Sequence, residues 1–103
     1  MTILYMEPVT YNRLLDHLAE LDLQPLNPNQ SIRRIPDTNN YNENFHLSLR
    51  YKDHHAIHCE WFGGNLDIYD PPAEIEDELV VRIAHLLGLE KESENSYREI
   101  DHN

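Results

Sequence analysis

Two acidic residues, Glu60 and Asp67, form the pair whose spacing could do acid–base chemistry. They lie three positions before Gly63 and three positions after Gly64, and a two-residue hairpin loop at these glycines would place them opposite each other on adjacent strands. Neighbouring carboxylates can share a proton, as in glycosidases and aspartic proteases. That chemistry also needs a pocket that excludes water, which an open sheet face in a small domain does not offer. We therefore interpret the pair, with Tyr69 on the same face, as part of a partner-binding surface.

A second group, His54, His55, His58 and Cys59, consists of residue types that bind zinc. His58 and Cys59 are adjacent on a predicted strand and so point to opposite faces, while the other two histidines fall in a turn. Since the four side chains do not converge on one point, we predict no metal and no other cofactor. Cys59 should face the core, where a thiol is unreactive.

The third feature is a large excess of acidic residues. Nineteen acids against eight bases give a formal net charge of −11, and nine of the acids follow residue 72. Such a charge repels nucleic acid and anionic membranes and favours a basic protein partner. Glu74, Asp77 and Glu78 are expected on the exposed side of a helix, where they join Glu60, Asp67 and Tyr69 as the predicted partner-binding residues.

A three-stranded antiparallel meander between Phe45 and Tyr69 must position these side chains. Apolar residues alternate with polar ones along three segments, as in half-buried strands, and a turn at Asp53-His54-His55 joins the first two. The predicted cross-strand partners are Trp61 with Leu66, Cys59 with Ile68, Tyr51 with Ile57, Leu49 with Cys59, and Leu47 with Trp61.

Helices are predicted on both sides of this meander. The first covers residues 10–22, with Thr10 as its N-cap, and ends before Pro25. The second follows Asp70 as its N-cap, pairs Glu78 with Arg82 one turn apart, and ends at Gly88. The order is α-β-β-β-α, an α+β fold with both helices on one face of the sheet.

Three segments fit this scheme poorly. Residues 24–44 are rich in proline and asparagine and read as a long irregular loop, in which Ser31–Ile35 could form a short edge strand. Ile3–Met6 could form another edge strand. We predict one domain over residues 1–89, followed by a polar acidic tail, residues 90–103, that frays, although Tyr97 and Ile100 could dock on the domain.

Three functional hypotheses follow from these features. The first is a small acidic binding module that inhibits a basic, nucleic-acid-acting protein, as immunity proteins, antitoxins and phage-encoded inhibitors do. The second is a dimeric acidic chaperone or adaptor that holds a client at a sheet edge. The third is a histidine-dependent metal protein or enzyme. A single cysteine and no membrane-spanning run indicate a cytoplasmic protein.

Overall fold

A seven-stranded sheet with two α-helices forms the described part of the chain, which comprises residues 1–39, 42–69 and 72–100 of a computed structural model. The elements in chain order are β1 (Thr2–Tyr5), α1 (Pro8–Asp16), a 3₁₀ turn (Ala19–Leu21), β2 (Leu23–Pro25), β3 (Asn44–Tyr51), β4 (His55–Phe62), β5 (Asn65–Ile68), α2 (Ala73–Leu87), β6 (Leu89–Ser93) and β7 (Ser96–Glu99).

The strands are arranged in the order β2-β3-β4-β5-β1-β7-β6, so the predicted meander forms only the middle of a larger sheet. The α+β character is confirmed, but the prediction of three or four strands was too small. β1 lies inside the sheet, antiparallel to β5 and parallel to β7, and is not an edge strand. Its alternating burial, with Thr2 and Leu4 inside, is that of a strand with one covered face.

The register of the meander is confirmed on one side and shifted on the other. Trp61 pairs with Leu66 as predicted. Between β3 and β4, however, Leu49 pairs with Ile57, and not with Cys59, because the turn is tighter than expected. A shift of two residues leaves every side chain on its predicted face, since successive residues of a strand alternate.

Both helices start at different residues from those predicted. α1 begins at Pro8, with Glu7 as its N-cap, because proline fits the first turn where N–H groups have no intrahelical partner. Thr10 lies inside the helix and its hydroxyl donates to Glu99. α2 has Pro72 as its N-cap, and Asp70 lies outside the described residues. Gly88 ends α2 as predicted, with φ of 72°.

The acidic C-terminal segment pairs into strands up to Glu99, where the sequence predicts a fraying tail. β6 and β7 form an antiparallel pair, and β7 also pairs with β1. Leu89 is buried, and Glu99 is fixed because it accepts hydrogen bonds from the N–H of Glu7 and from Thr10. Residues 101–103 lie outside the described part.

The predicted edge strand at Ser31–Ile35 is absent from the described residues. Ile35 is nevertheless buried in the hydrophobic core, and the side-chain amide of Asn12 fixes its backbone by donating to its carbonyl at 2.8 Å and accepting from its N–H at 3.0 Å. The Tyr11 hydroxyl similarly donates to the carbonyl of Arg33 at 2.8 Å. Side chains of α1 thus bind the backbone of this segment, which does not pair with a neighbouring strand.

Both helices cover the same face of the sheet. Tyr11 of α1 lies 5.0 Å, between ring centroids, from Trp61, and Glu78 of α2 accepts a hydrogen bond from Tyr51. Trp61 and Tyr51 belong to the same alternating set of inward residues, and both are fully buried. Among the described residues, no helix lies over the opposite side of the sheet. Neither α1 nor α2 is long and apolar enough to cross a membrane.

Candidate functional site

The side of the sheet away from the helices, here called the open face, contains the predicted carboxylate pair. Glu60 and Asp67 are direct cross-strand partners, as the hairpin register predicts. Phe62 lies on one side of the pair along the strands and Tyr69 on the other, and both are exposed, with 38% and 37% of their surface accessible. Ile3 of β1 lies next to Asp67 in the same row.

Neutral donors hold the two carboxylates of the open face. The Tyr69 hydroxyl donates to Glu60 at 2.9 Å, and the Asn65 amide donates to Asp67 at 2.7 Å. The bond from the Tyr69 hydroxyl to Glu60 and the charge of Glu60 raise the pKa of Tyr69 to about 12, because ionisation of the hydroxyl would break the bond and place a second negative charge beside Glu60. Asp67 is only 8% accessible, yet in the described chain no cation forms an ion pair with either acid.

The exposed side of α2 contains the other three predicted residues. Glu74 and Asp77 are exposed and have no hydrogen bond or ion pair within the described chain. We call these two residues the α2 surface. Glu78 differs, since it accepts from Lys52 and from the Tyr51 hydroxyl, and the bond from Lys52 lowers its pKa. Val81, 57% exposed, lies one turn further along the same side of the helix.

Tyr51, Arg82 and Asp22 complete a polar network around Glu78 that the sequence analysis missed. Arg82 donates to the Tyr51 hydroxyl at 3.0 Å and pairs with Asp22 at 3.0 Å, so the predicted pair of Glu78 with Arg82 does not form. It also donates to the backbone carbonyls of the preceding 3₁₀ turn. This network joins α2 to β3 through Tyr51 and to Asp22, the residue before β2. Its partners come from distant segments, and no spacing in the sequence indicates them.

Most of the lysine and arginine side chains form ion pairs within the described chain, whereas many carboxylates do not. Five of the eight lysine and arginine residues form ion pairs with acids. Seventeen of the nineteen acids are described, seven of them are ion-paired, and ten have no cationic partner. These ten are Glu7, Asp37, Asp53, Glu60, Asp67, Glu74, Asp77, Glu90, Glu94 and Glu99. The uncompensated charge therefore lies on both sides of the sheet.

Cys59 and the histidines of the described residues do not assemble into a reactive site. Cys59 is buried, and burial raises the pKa of its thiol to about 12. His58 points to the open face, where its Nδ1 lies 3.3 Å from the Ser48 hydroxyl. Within residues 1–39, 42–69 and 72–100, no group of three or more histidine, cysteine, aspartate or glutamate side chains is placed to hold a metal ion.

Two shallow clefts lie away from the open face. One, of about 350 Å³, lies between the C-terminal end of α2 and Arg13 of α1. The other, of about 290 Å³, lies beside Asp22 and Asp53. Asp22 pairs with Arg82, and Asp53 accepts from Gln24 at 2.6 Å, so both carboxylates there already have partners. Neither cleft contains any of the six predicted partner-binding residues.

The fold and geometry thus define an α+β protein with acidic residues on two opposite surfaces. The six predicted residues do not form one site. Glu60, Asp67 and Tyr69 lie together on the open face, whereas Glu74, Asp77 and Glu78 lie on the helical side. The chain matches no protein-family model, and comparisons with curated proteins and with solved structures give no significant match.

Proposed function

We propose that this protein is a small acidic binding module that inhibits a basic, nucleic-acid-acting protein. The observation that supports it most directly is the ion-pair balance: the chain uses most of its cations internally and leaves ten described carboxylates without a cation. A protein that needed acids only for internal ion pairs would have similar numbers of acidic and basic residues. The surplus is available to a positively charged partner.

The physical mechanism is attraction followed by occlusion. A net charge of −11 on 103 residues creates a long-range field that raises the association rate with a basic surface. Carboxylates at the contact surface then occupy the positions that phosphates of a nucleic acid would take in the partner's cleft. Glu74 and Asp77 strengthen the attraction, since no cation within the described chain neutralises either of them.

The alternative of a dimeric chaperone or adaptor has less support because both edges of the described sheet are poor templates for a client strand. β2 is three residues long and ends at Pro25, which cannot donate a ladder hydrogen bond. β6 has the charged, exposed run Glu90-Lys91-Glu92 at the other edge. Short edges, proline and alternating charge are the devices that prevent strand addition.

We further propose that the protein acts in the cytoplasm. Its single cysteine is a buried free thiol, so the fold does not depend on an oxidising compartment.

The test is affinity capture of the tagged protein from its native lysate, with parallel washes at low and high salt. We expect a basic protein that is retained at low salt and released at high salt, since screening weakens exposed charge pairs. The purified partner should then lose nucleic-acid binding when the acidic protein is added. A partner retained equally at both salt concentrations, or one whose nucleic-acid binding is unchanged, would contradict the proposal.

Charge-neutral variants locate the contact on the acidic protein. Glu74→Gln removes one charge from the α2 surface without removing any internal bond. The control is Glu92→Gln, which removes the same charge from a carboxylate already paired with Arg98. The Glu74 variant should reduce both the affinity and its salt dependence, and the control should have the smaller effect.

A further inference from the structure

The open face has an unusual electrostatic arrangement at its centre. Glu60 and Asp67 lie directly opposite each other on adjacent strands, where like charges destabilise a sheet. Their donors within the described chain are the neutral side chains of Tyr69 and Asn65. Five of the protein's cations form ion pairs with other acids. An unfavourable pair of charges persists in the free protein, and a cation from outside would relieve it.

Aromatic rings border this pair on both sides. Phe62 is two residues from Glu60 on the same strand face, and Tyr69 is two residues from Asp67. Both rings are more than a third accessible, and no helix of the described chain covers them. A flat cation that donates to the carboxylates would therefore have an accessible aromatic ring beside it.

The same face already contains one example of this contact. The guanidinium of Arg98 lies over the ring of Tyr5 at 4.6 Å and is also bound by Glu92. Tyr5 pairs with Asn65 in the strand register and so belongs to the open face. Guanidinium, ring and carboxylate thus already occur together on this surface.

We propose that the open face binds an arginine side chain of the basic partner, with Glu60 and Asp67 accepting its N–H groups between the flanking residues Phe62 and Tyr69. This inference rests on the proposed function and names the chemical group that the partner presents. Arginine fits better than lysine because its planar fork donates to two carboxylate oxygens at once and stacks on rings. The negative charge of this uncovered sheet face complements the positive charge of the guanidinium.

The first experiment uses two pentapeptides, acetyl-Gly-Arg-Gly-Arg-Gly-amide and its lysine counterpart, titrated into ¹⁵N-labelled protein at constant ionic strength. We expect the arginine peptide to shift the amide signals of Glu60, Asp67 and Tyr69, and the lysine peptide to bind several-fold more weakly. Shifts confined to α2, equal binding of the two peptides, or no shifts on β4 and β5 would overturn the proposal.

A matched pair of variants tests the carboxylate directly. Glu60→Gln removes one charge but keeps an oxygen that can accept from the Tyr69 hydroxyl. Glu94→Gln removes the same charge from the turn between β6 and β7, where the side chain has no partner in the described chain. Losing a charge-assisted bond should weaken the arginine peptide about tenfold in the first variant. The control should change its affinity by less than about twofold, and equal losses in both variants would refute a specific contact.

The two proposals can fail separately. If a basic partner binds with salt dependence but only the α2 variant weakens it, the proposed function stands and the open-face contact is wrong. If the arginine peptide binds the open face as described but no basic nucleic-acid-acting protein is captured, the contact stands and the proposed function is wrong.

Discussion

Replacing Tyr51 with phenylalanine tests whether the Tyr51–Glu78–Arg82 network is structural. The hydroxyl is buried, donates to Glu78 at 2.5 Å and accepts from Arg82 at 3.0 Å, so the substitution removes two bonds to charged groups and leaves the ring in place. A bond to a charged group contributes about 1.5–3 kcal/mol. We use the lower end, because Glu78 keeps Lys52, Arg82 keeps Asp22, and both side chains can be partly rehydrated. The expected loss of unfolding free energy is about 1.5 kcal/mol.

Urea unfolding followed by tryptophan fluorescence measures this loss. Trp61 is the only tryptophan and is fully buried, so its emission reports exposure of the core. With a slope of about 1 kcal/mol per molar urea for a domain of this size, the unfolding midpoint should fall by about 1.5 M.

Tyr69→Phe is the matched control, since it removes a hydroxyl that donates to Glu60 from an exposed ring. Its midpoint should shift much less than that of Tyr51→Phe, as for most surface substitutions. If the two variants shifted the midpoint equally, the reasoning that the network fixes α2 to the sheet would be refuted.

Three other residues give further tests. Burial raises the thiol pKa of Cys59 to about 12, so at pH 8 it should have about a thousandfold less thiolate than an exposed cysteine. Ellman's reagent should therefore react with it only as fast as the protein opens. Prompt reaction of the folded protein would contradict this. The difference between the ultraviolet pH titrations of the unmodified protein and the Tyr69→Phe variant should give Tyr69 a pKa of about 12, and Glu60→Gln should lower it. The stabilisation from its bond should be complete below about pH 10 and be lost as the pH rises through about 12. A difference curve centred near pH 10 would contradict this. Gly88→Ala should reduce the free energy of unfolding in urea by about 1 kcal/mol, because alanine is strained at the positive φ of this position. Steric contact adds nothing to this loss, since an added Cβ would have no atom within 4 Å. An unchanged midpoint would show that the helix end can rearrange.

The central hairpin could be predicted because turn chemistry and alternation agree there. Gly63 and Gly64 both have positive φ, and the two-residue loop fixes the pairing of Glu60 with Asp67. The neighbouring turn lacked such a signal. Its positive-φ residues are Lys52 and Asp53, and the turn contains no glycine that would mark where the chain reverses. The predicted register was wrong by two residues.

The outer strands could not be predicted because their stability comes from distant partners. The segment Glu90-Lys91-Glu92 has the composition of a solvated tail, and its pairing depends on β7, which in turn pairs with β1 at the other end of the chain. Glu99 is held by Glu7 and Thr10, 92 and 89 residues away in sequence. The same reason explains why the six predicted partner-binding residues separate onto two surfaces, since a helix packed on one face of a sheet cannot share a surface with the other face.

This separation constrains how a partner can bind. The open face and the α2 surface point away from each other across the sheet, so a single cleft that encloses Glu60 and Asp67 does not also contact Glu74 and Asp77. Long-range attraction nevertheless sums over all charges, whichever surface holds them. Neutralising the surface that makes contact should therefore speed dissociation, whereas neutralising the other should mainly slow association and lose its effect in high salt. Rate measurements on the Glu60→Gln and Glu74→Gln variants would show which surface the partner occupies.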